Sequence, residues 1–325
     1  MPKNPKLFIN NVPVEICTSI RTGLPFVATP YIELILKGIL AAAQTMFPVT
    51  ICHFIVMANH IHLLIVVQNP NDVPRFMDYF KTESAIAMNK LLGTTGQSFW
   101  VDGYDSPSIL SAEKFLERMQ YLYLNPVEAS LVSSMEKYPG ISSYNELLNG
   151  VSIEQYKKIS RDEFFELPYG RLSKAYEAEL AQGYKDARGL TYELKIEPWA
   201  WLQCYGESRN CNPEEAKERF LRRLKTEEER VAASNPSFLG TEKIQNQDIR
   251  TPYKSKRNGK KMICLSHCKE QRGRMIGIFK EFTKLARKSY QLRKAGISSA
   301  APPPGFFLPG GMLLANIVFP NLFIT

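Results

Sequence analysis

The sequence predicts an α+β protein of 325 residues: a ferredoxin-like antiparallel sheet with helices on one face, followed by a mainly helical, basic C-terminal region. Three observations carry this expectation. Apolar runs of strand and helix character follow one another through the first half in the order strand, helix, strand, strand, helix, strand, helix. Two of those runs are separated only by Ala58-Asn59, a hairpin signature. The charge also changes character near Gly150: residues 1–150 come to about −2 and residues 151–325 to about +11. The chain is therefore expected to divide into a 1–150 unit and a basic 151–325 unit.

Lys6 to Ile20 is rich in Ile and Val and reads as a strand with Pro13 at a bend or edge. Thr29-Pro30 opens a helix to about Phe47, with Thr as the cap and Pro at the first helical position. Val49–Met57 and His60–Val67 form the hairpin, since Asn59 tolerates the turn conformation. From Asn71 to Leu92 the positions Val73, Phe76, Met77, Phe80, Ile86, Met88 and Leu91 recur at helical spacing until Gly93. A strand is expected near Phe99–Leu110, then a helix from Ser111 that ends or bends near Pro126. Beyond Gly150, Ser152–Gln182, Pro213–Ala233 and Arg274–Lys294 read as helices, Ser234–Lys261 as a polar linker and Ala301–Pro320 as an irregular tail.

With 44% hydrophobic residues the chain can bury a substantial core. Its longest apolar stretch, Ile32–Phe47, is interrupted by Glu33, Lys37 and Gln44 and falls short of the about 20 residues a membrane crossing needs. No signal-peptide pattern opens the chain, so a cytoplasmic location without membrane attachment is expected. The six cysteines suit a reducing compartment, and the spacing around Cys264 and Cys268 matches no common zinc finger.

Two short segments carry the candidate chemistry. His60-Ile61-His62 begins a strand, where alternation sends both imidazoles to one face and Ile61 to the other. In the helix before Pro126, Tyr121 and Asn125 are four residues apart and share a face, whereas Tyr123 points away. One face thus offers a phenol beside an amide.

Met57-Ala-Asn-His-Ile-His-Leu-Leu, then Phe99-Trp100, then Tyr121-Leu-Tyr-Leu-Asn-Pro-Val127 resemble the single-tyrosine HUH transposases, and the last motif looks most like the REP-associated tyrosine transposases. The resemblance covers roughly residues 6–145, with Ala58 where that family usually has Pro. It implies that Tyr121 is a nucleophile, that His60, His62 and Asn125 hold a divalent metal, Mg²⁺ or Mn²⁺, and that Lys81 lies near the DNA backbone. It also implies a single-stranded or hairpin DNA substrate, a 5′-phosphotyrosine intermediate, and either a monomer or a homodimer. The chemistry is coherent: a phenol with a reference pKa near 10 is a weak nucleophile at neutral pH, and neutral ligands leave a cation its full charge for a phosphate.

Arg250–Ala295 alone carries about +13, interleaved with Tyr253, Phe279, Phe282 and Tyr290, as a nucleic-acid surface requires. Lys254, Lys256, Arg257, Lys260, Lys261, Arg272, Arg274, Lys284, Arg287 and Lys288 are accordingly expected to contact DNA together with Lys81. The rival readings are a non-catalytic binder of single-stranded nucleic acid on the same fold and a domesticated relative acting on host repeats. A two-histidine phosphoesterase would need a second His-x-Ser/Thr motif, which the sequence lacks.

Overall fold

The computed structural model describes residues 5–26, 29–235, 237–253, 262–297 and 299–306. Among these residues seven strands form one sheet; in spatial order they are β5 (Ser152–Ile159), β6 (Gly189–Ile196), β2 (Thr50–Met57), β3 (His60–Val66), β1 (Pro13–Ser19), β4 (Ser108–Ile109) and β7 (Cys264–Leu265). Its centre is built from β1 (Pro13–Ser19), β2 (Thr50–Met57), β3 (His60–Val66) and β4 (Ser108–Ile109), with α1 (Pro30–Met46), α2 (Asp72–Leu91) and α3 (Ala112–Glu128) in the connections. β3 runs antiparallel to both β1 and β2, and β4 antiparallel to β1, which is the ferredoxin-like order.

Local chemistry explains the boundaries. Thr29 Oγ1 accepts from the Ile32 amide at 3.3 Å and Pro30 starts α1, so that helix begins where the capping signal places it. Ala58 and Asn59 close the β2–β3 hairpin as the two residues between the strands. α3 passes Pro126 and stops two residues later, at Glu128, and the short α4 (Tyr144–Asn149) follows it before Gly150.

The α+β class stands, but helices cover both faces of the sheet where one covered face is expected. Phe54, Val56, Ile61 and Leu63 pack against α1 and α2, while Ile55, Met57, Leu64 and Val66 pack against α3 and α6 (Pro213–Ala233). The reason lies in β2 and β3 themselves. They are buried along almost their whole length, and a strand with apolar residues on both sides needs cover on both.

Three local expectations also change. β1 starts only at Pro13, because Asn11 adopts a left-handed turn at φ 58° and breaks the run before it. The strand expected over 99–110 shrinks to Ser108–Ile109 with isolated bridges at Trp100 and Asp105, interrupted by a left-handed Gly103. The helix expected over Ser152–Gln182 is instead β5 (Ser152–Ile159) followed by α5 (Lys174–Asp186). β5 is held by β6 (Gly189–Ile196), a partner some thirty residues away that local periodicity cannot reveal.

The sheet therefore continues across Gly150, with β6 joining β2 through Ile51 and Ile196. α1 lies close against β5 at Gly38, where an added Cβ would sit 2.3 Å from the Lys157 carbonyl oxygen. Further along, α7 (Thr241–Gln245) lies within the expected linker, β7 (Cys264–Leu265) extends the sheet beside β4, and α8 (Lys269–Lys294) follows. α8 buries Met275, Phe282 and Ala286 in a cluster with Leu7, Leu110 and Phe306. No helix among the described residues is long and apolar enough to cross a membrane.

Candidate active site

Register brings the first half of the site together. Cys17 lies opposite His62 and Ser19 opposite His60 across the β1–β3 ladder, so Glu15, Cys17, His60 and His62 share one face of the sheet. The two imidazoles stand edge to face with ring centroids 5.1 Å apart. Each has its Nδ1 engaged by a neighbour: His60 Nδ1 by Asn59 Oδ1 at 2.7 Å, and His62 Nδ1–H by Glu15 Oε1, which accepts at 3.1 Å. On each ring Nε2 is therefore the nitrogen not taken by that neighbour.

α3 supplies the second half, on the same face of the sheet. The Tyr121 ring meets His62 edge to face at 5.6 Å between centroids, and Asn125 Nδ2 lies 3.5 Å from His62 Nε2. Tyr121 is 37% exposed, so a polymer can reach it. His60, His62, Tyr121 and Asn125 are thus gathered in one place within one chain. Tyr123, two residues on, is fully buried; its hydroxyl sits 2.9 Å from His53 Nδ1 and donates to the Ser143 carbonyl at 3.2 Å. It belongs to the core.

Two residues that the motif reading passes over complete the cluster. Arg118, one turn before Tyr121, makes a two-pronged bond to Glu15, with Nε to Oε2 and Nη2 to Oε1 both at 2.7 Å. Its guanidinium lies 4.1 Å from the centre of the Tyr121 ring. The signals for both residues were present: Glu15 is the one charge in an otherwise uncharged strand, and Arg118 stands three positions from Tyr121, a helical neighbour.

Burial and charge set the protonation of these groups. Burial, with a smaller contribution from His62, pushes His60 down to about 3, so it is a neutral donor at pH 7. For His62 burial acts the same way, but Cys17 and Glu15 outweigh it and raise the imidazole to about 9, so without an ion it carries protons on both ring nitrogens at pH 7, and a cation would have to displace the one on Nε2. Burial also holds the Tyr121 phenol above its ordinary range, with Arg118 opposing. Glu15 is lowered: burial works against its charge, and His62 and Arg118 outweigh burial.

The expected DNA contacts are scattered. Lys81 donates to the carbonyls of Val101 and Gly103 at 3.0 and 2.7 Å, beside a groove of 1150 Å³ that Phe99 and Trp100 also line. On α8, Arg274, Lys284, Arg287 and Lys288 are exposed, Arg274 pairing with Glu270, while Arg272 donates to the carbonyls of Ser266 and His267. Lys254, Lys256, Arg257, Lys260 and Lys261 lie outside the described residues. Elsewhere, Glu113, Glu117 and His267 gather at the start of α3, where His267 Nε2 and Glu117 Oε1 are 2.6 Å apart and Lys114 also pairs with Glu117. That exposed group ties α3 to the segment before α8. All six cysteines are free thiols.

Residues 17–122 match the family described as IS200-like transposase, a stretch that includes His60, His62 and Tyr121 and ends before Asn125. No curated protein matches the chain. Among solved structures, a REP-associated tyrosine transposase bound to a REP hairpin is similar over 46% of this chain and 86% of its own, at 15% identity and a TM-score of 0.40. A candidate transposase from Deinococcus radiodurans R1 is similar over 37% of this chain and 94% of its own, at 18% identity and a TM-score of 0.24.

Proposed function

We infer from the match of residues 17–122 to the IS200-like transposase family that this chain is a DNA-processing transposase, and we propose that it cuts and rejoins single-stranded or hairpin DNA through Tyr121. The observation that carries the proposal is the convergence of His60, His62, Tyr121 and Asn125 on one face of one chain.

The donor set fits a divalent cation. Two imidazoles that each have Nδ1 engaged, beside the Asn125 amide, offer the nitrogen and oxygen atoms that Mg²⁺ or Mn²⁺ accepts once His62 gives up its Nε2 proton and the amide turns its oxygen inward, with Mn²⁺ the better match for nitrogen. When bound, the ion would supply positive charge to the scissile phosphate. Asn59 and Glu15 hold the tautomers that present Nε2, a role commonly played by outer partners of ligating histidines.

Tyr121 then forms the new bond to phosphorus while the bond from phosphorus to the 3′ oxygen breaks. The phenol loses its proton and the released 3′ oxygen gains one. A 5′-phosphotyrosine and a free 3′-hydroxyl result, and a second 3′-hydroxyl can reverse the exchange on another strand without ATP. A backbone that must reach a half-buried metal site beside α3 has to be unpaired there, which argues for single strands or hairpin flanks.

The exposed cations of α8, together with Lys81 and the basic residues of 254–261, would add phosphate contacts to the binding of the strand. The reading includes a cytoplasmic location, where the free thiols stay reduced. Because all four site residues meet within one chain, a monomer suffices for the first cut, and a homodimer would serve the joining of two ends.

The test is to incubate the protein with labelled single strands and hairpins from the flanks of its own gene, with and without Mg²⁺ or Mn²⁺. A metal-dependent covalent protein–DNA species on a denaturing gel is expected. Binding without any such species on every substrate would favour the non-catalytic binder.

A further inference from the structure

We propose that Glu15 and Arg118 form a positioning unit for the proposed strand-cutting site, in which one buried carboxylate holds both the His62 imidazole and, through Arg118, the ring of Tyr121. The proposal rests on the reading of Tyr121 as nucleophile and adds two residues to it.

The geometry is continuous from sheet to helix. Glu15 is 4% exposed and sits on β1 next to β3. Its Oε1 accepts from His62 Nδ1 at 3.1 Å and from Arg118 Nη2 at 2.7 Å, while Oε2 accepts from Arg118 Nε at 2.7 Å. A carboxylate that accepts three charge-assisted or ring N–H bonds in a dry setting has little freedom to turn. Arg118 is thereby fixed in plane, with its guanidinium carbon 4.1 Å from the Tyr121 ring centre. His62 meets that ring in a T-shaped contact with centroids 5.6 Å apart. Tyr121 is therefore contacted by two groups that both bond to Glu15.

The grip has a purpose that packing alone does not meet. Tyr121 is the exposed aromatic of α3, whereas Tyr123 is held by the core. An exposed phenol swings among rotamers unless something outside the core restrains it. Arg118 does so while leaving the hydroxyl end open. Only arginine suits the position, because a lysine cannot make the two-pronged bond and stack at the same time.

The experiment uses the full-length protein and two readouts, Mn²⁺ affinity by titration and the rate of covalent adduct formation at saturating Mn²⁺. Arg118→Ala is expected to leave Mn²⁺ affinity within about twofold and slow the adduct by roughly 10- to 100-fold, the cost of a misplaced reacting group. Arg118→Lys should restore little. Glu15→Gln should weaken Mn²⁺ binding by about tenfold or more and also slow the adduct at saturating metal. If Glu15→Gln does not fold, Arg118→Met carries the test, since that side chain is 21% exposed and its loss leaves the core intact.

A native adduct rate in Arg118→Ala overturns the proposal. So does a loss of Mn²⁺ affinity in Arg118→Ala with a normal rate at saturation, because Arg118 would then act on the metal side alone. A third readout separates this proposal from the cutting reading itself: NMR of ¹³C-labelled tyrosine, with the Tyr121 signal assigned from Tyr121→Phe. If the native protein forms no adduct, the cutting reading fails, and the ring signal still decides the grip. A Tyr121 signal that moves in Arg118→Ala while that of Tyr123 stays supports it, and an unmoved signal refutes it.

Discussion

His62 and Tyr121 meet edge to face with their ring centroids 5.6 Å apart, although one lies on β3 and the other on α3. The contact follows from two periodicities. Strand alternation puts His60 and His62 on the face that α3 covers, and helical spacing turns Tyr121 and Asn125 toward that face while Tyr123 enters the core.

The imidazoles and the phenol should fail differently when removed. His60→Ala or His62→Ala takes away a proposed metal ligand but leaves the nucleophile, so cleavage should fall at low Mn²⁺ and recover in part at high Mn²⁺. Tyr121→Phe should recover at no concentration. Adduct yield across a Mn²⁺ titration measures this, and equal rescue of all three variants would separate the histidines from the metal.

Tyr123→Phe should alter stability and spare chemistry. The hydroxyl serves His53 Nδ1 and Ser143 in a dry core, so its loss leaves buried partners unpaired and should cost about 1–2 kcal/mol. Denaturant unfolding reads the loss, and adduct formation should persist near the native level. A wholly inactive but folded Tyr123→Phe protein would contradict the assignment of roles.

Glu83 gives a pH prediction. It lies on α2 and takes Lys158 at 2.6 Å and Arg161 as ion partners, which outweigh burial and hold its carboxyl below the ordinary value of 4.5. A depressed acid adds stability above its unfolded value and loses it as the pH falls through the folded one. Glu83→Gln should therefore cost about 1–3 kcal/mol at pH 7, and the gap from the native protein should close below about pH 4.5. Melting curves at pH 7 and pH 4 check it, and a gap that widens on acidification would be the wrong sign.

The basic face of α8 predicts a salt effect. Deleting the region would strip Met275 and Phe282 from their cluster with Leu7 and Leu110, so charge substitution is the cleaner probe. Lys284→Gln, Arg287→Gln and Lys288→Gln combined should lower the slope of log affinity against log salt by about 2 for single strands. An unchanged slope would remove α8 from the DNA surface.

The core of this fold and its four central residues were legible because both rest on short-range rules. His60, His62, Tyr121 and Asn125 are placed by alternation and by i,i+4 spacing, and the hairpin at Ala58-Asn59 by its two-residue gap. What was not legible depends on distant partners. β5 looks helical until β6 pairs with it, and the second covered face of β2 and β3 depends on α6, far along the chain. Glu15 and Arg118 each leave a local trace, a lone charge in β1 and a helical neighbour of Tyr121, but their pairing is a contact across 103 residues that neither trace reveals.

The most direct measurement of the central claim compares native protein, Tyr121→Phe and Tyr123→Phe on one labelled hairpin substrate with Mn²⁺, reading the covalent protein–DNA species on a denaturing gel. Tyr121→Phe removes one oxygen and keeps the ring, so folding and DNA binding should survive. The account predicts an adduct in the native protein and in Tyr123→Phe and none in Tyr121→Phe, because no other group is placed to attack. An adduct that persists in Tyr121→Phe and vanishes in a folded Tyr123→Phe protein would contradict it.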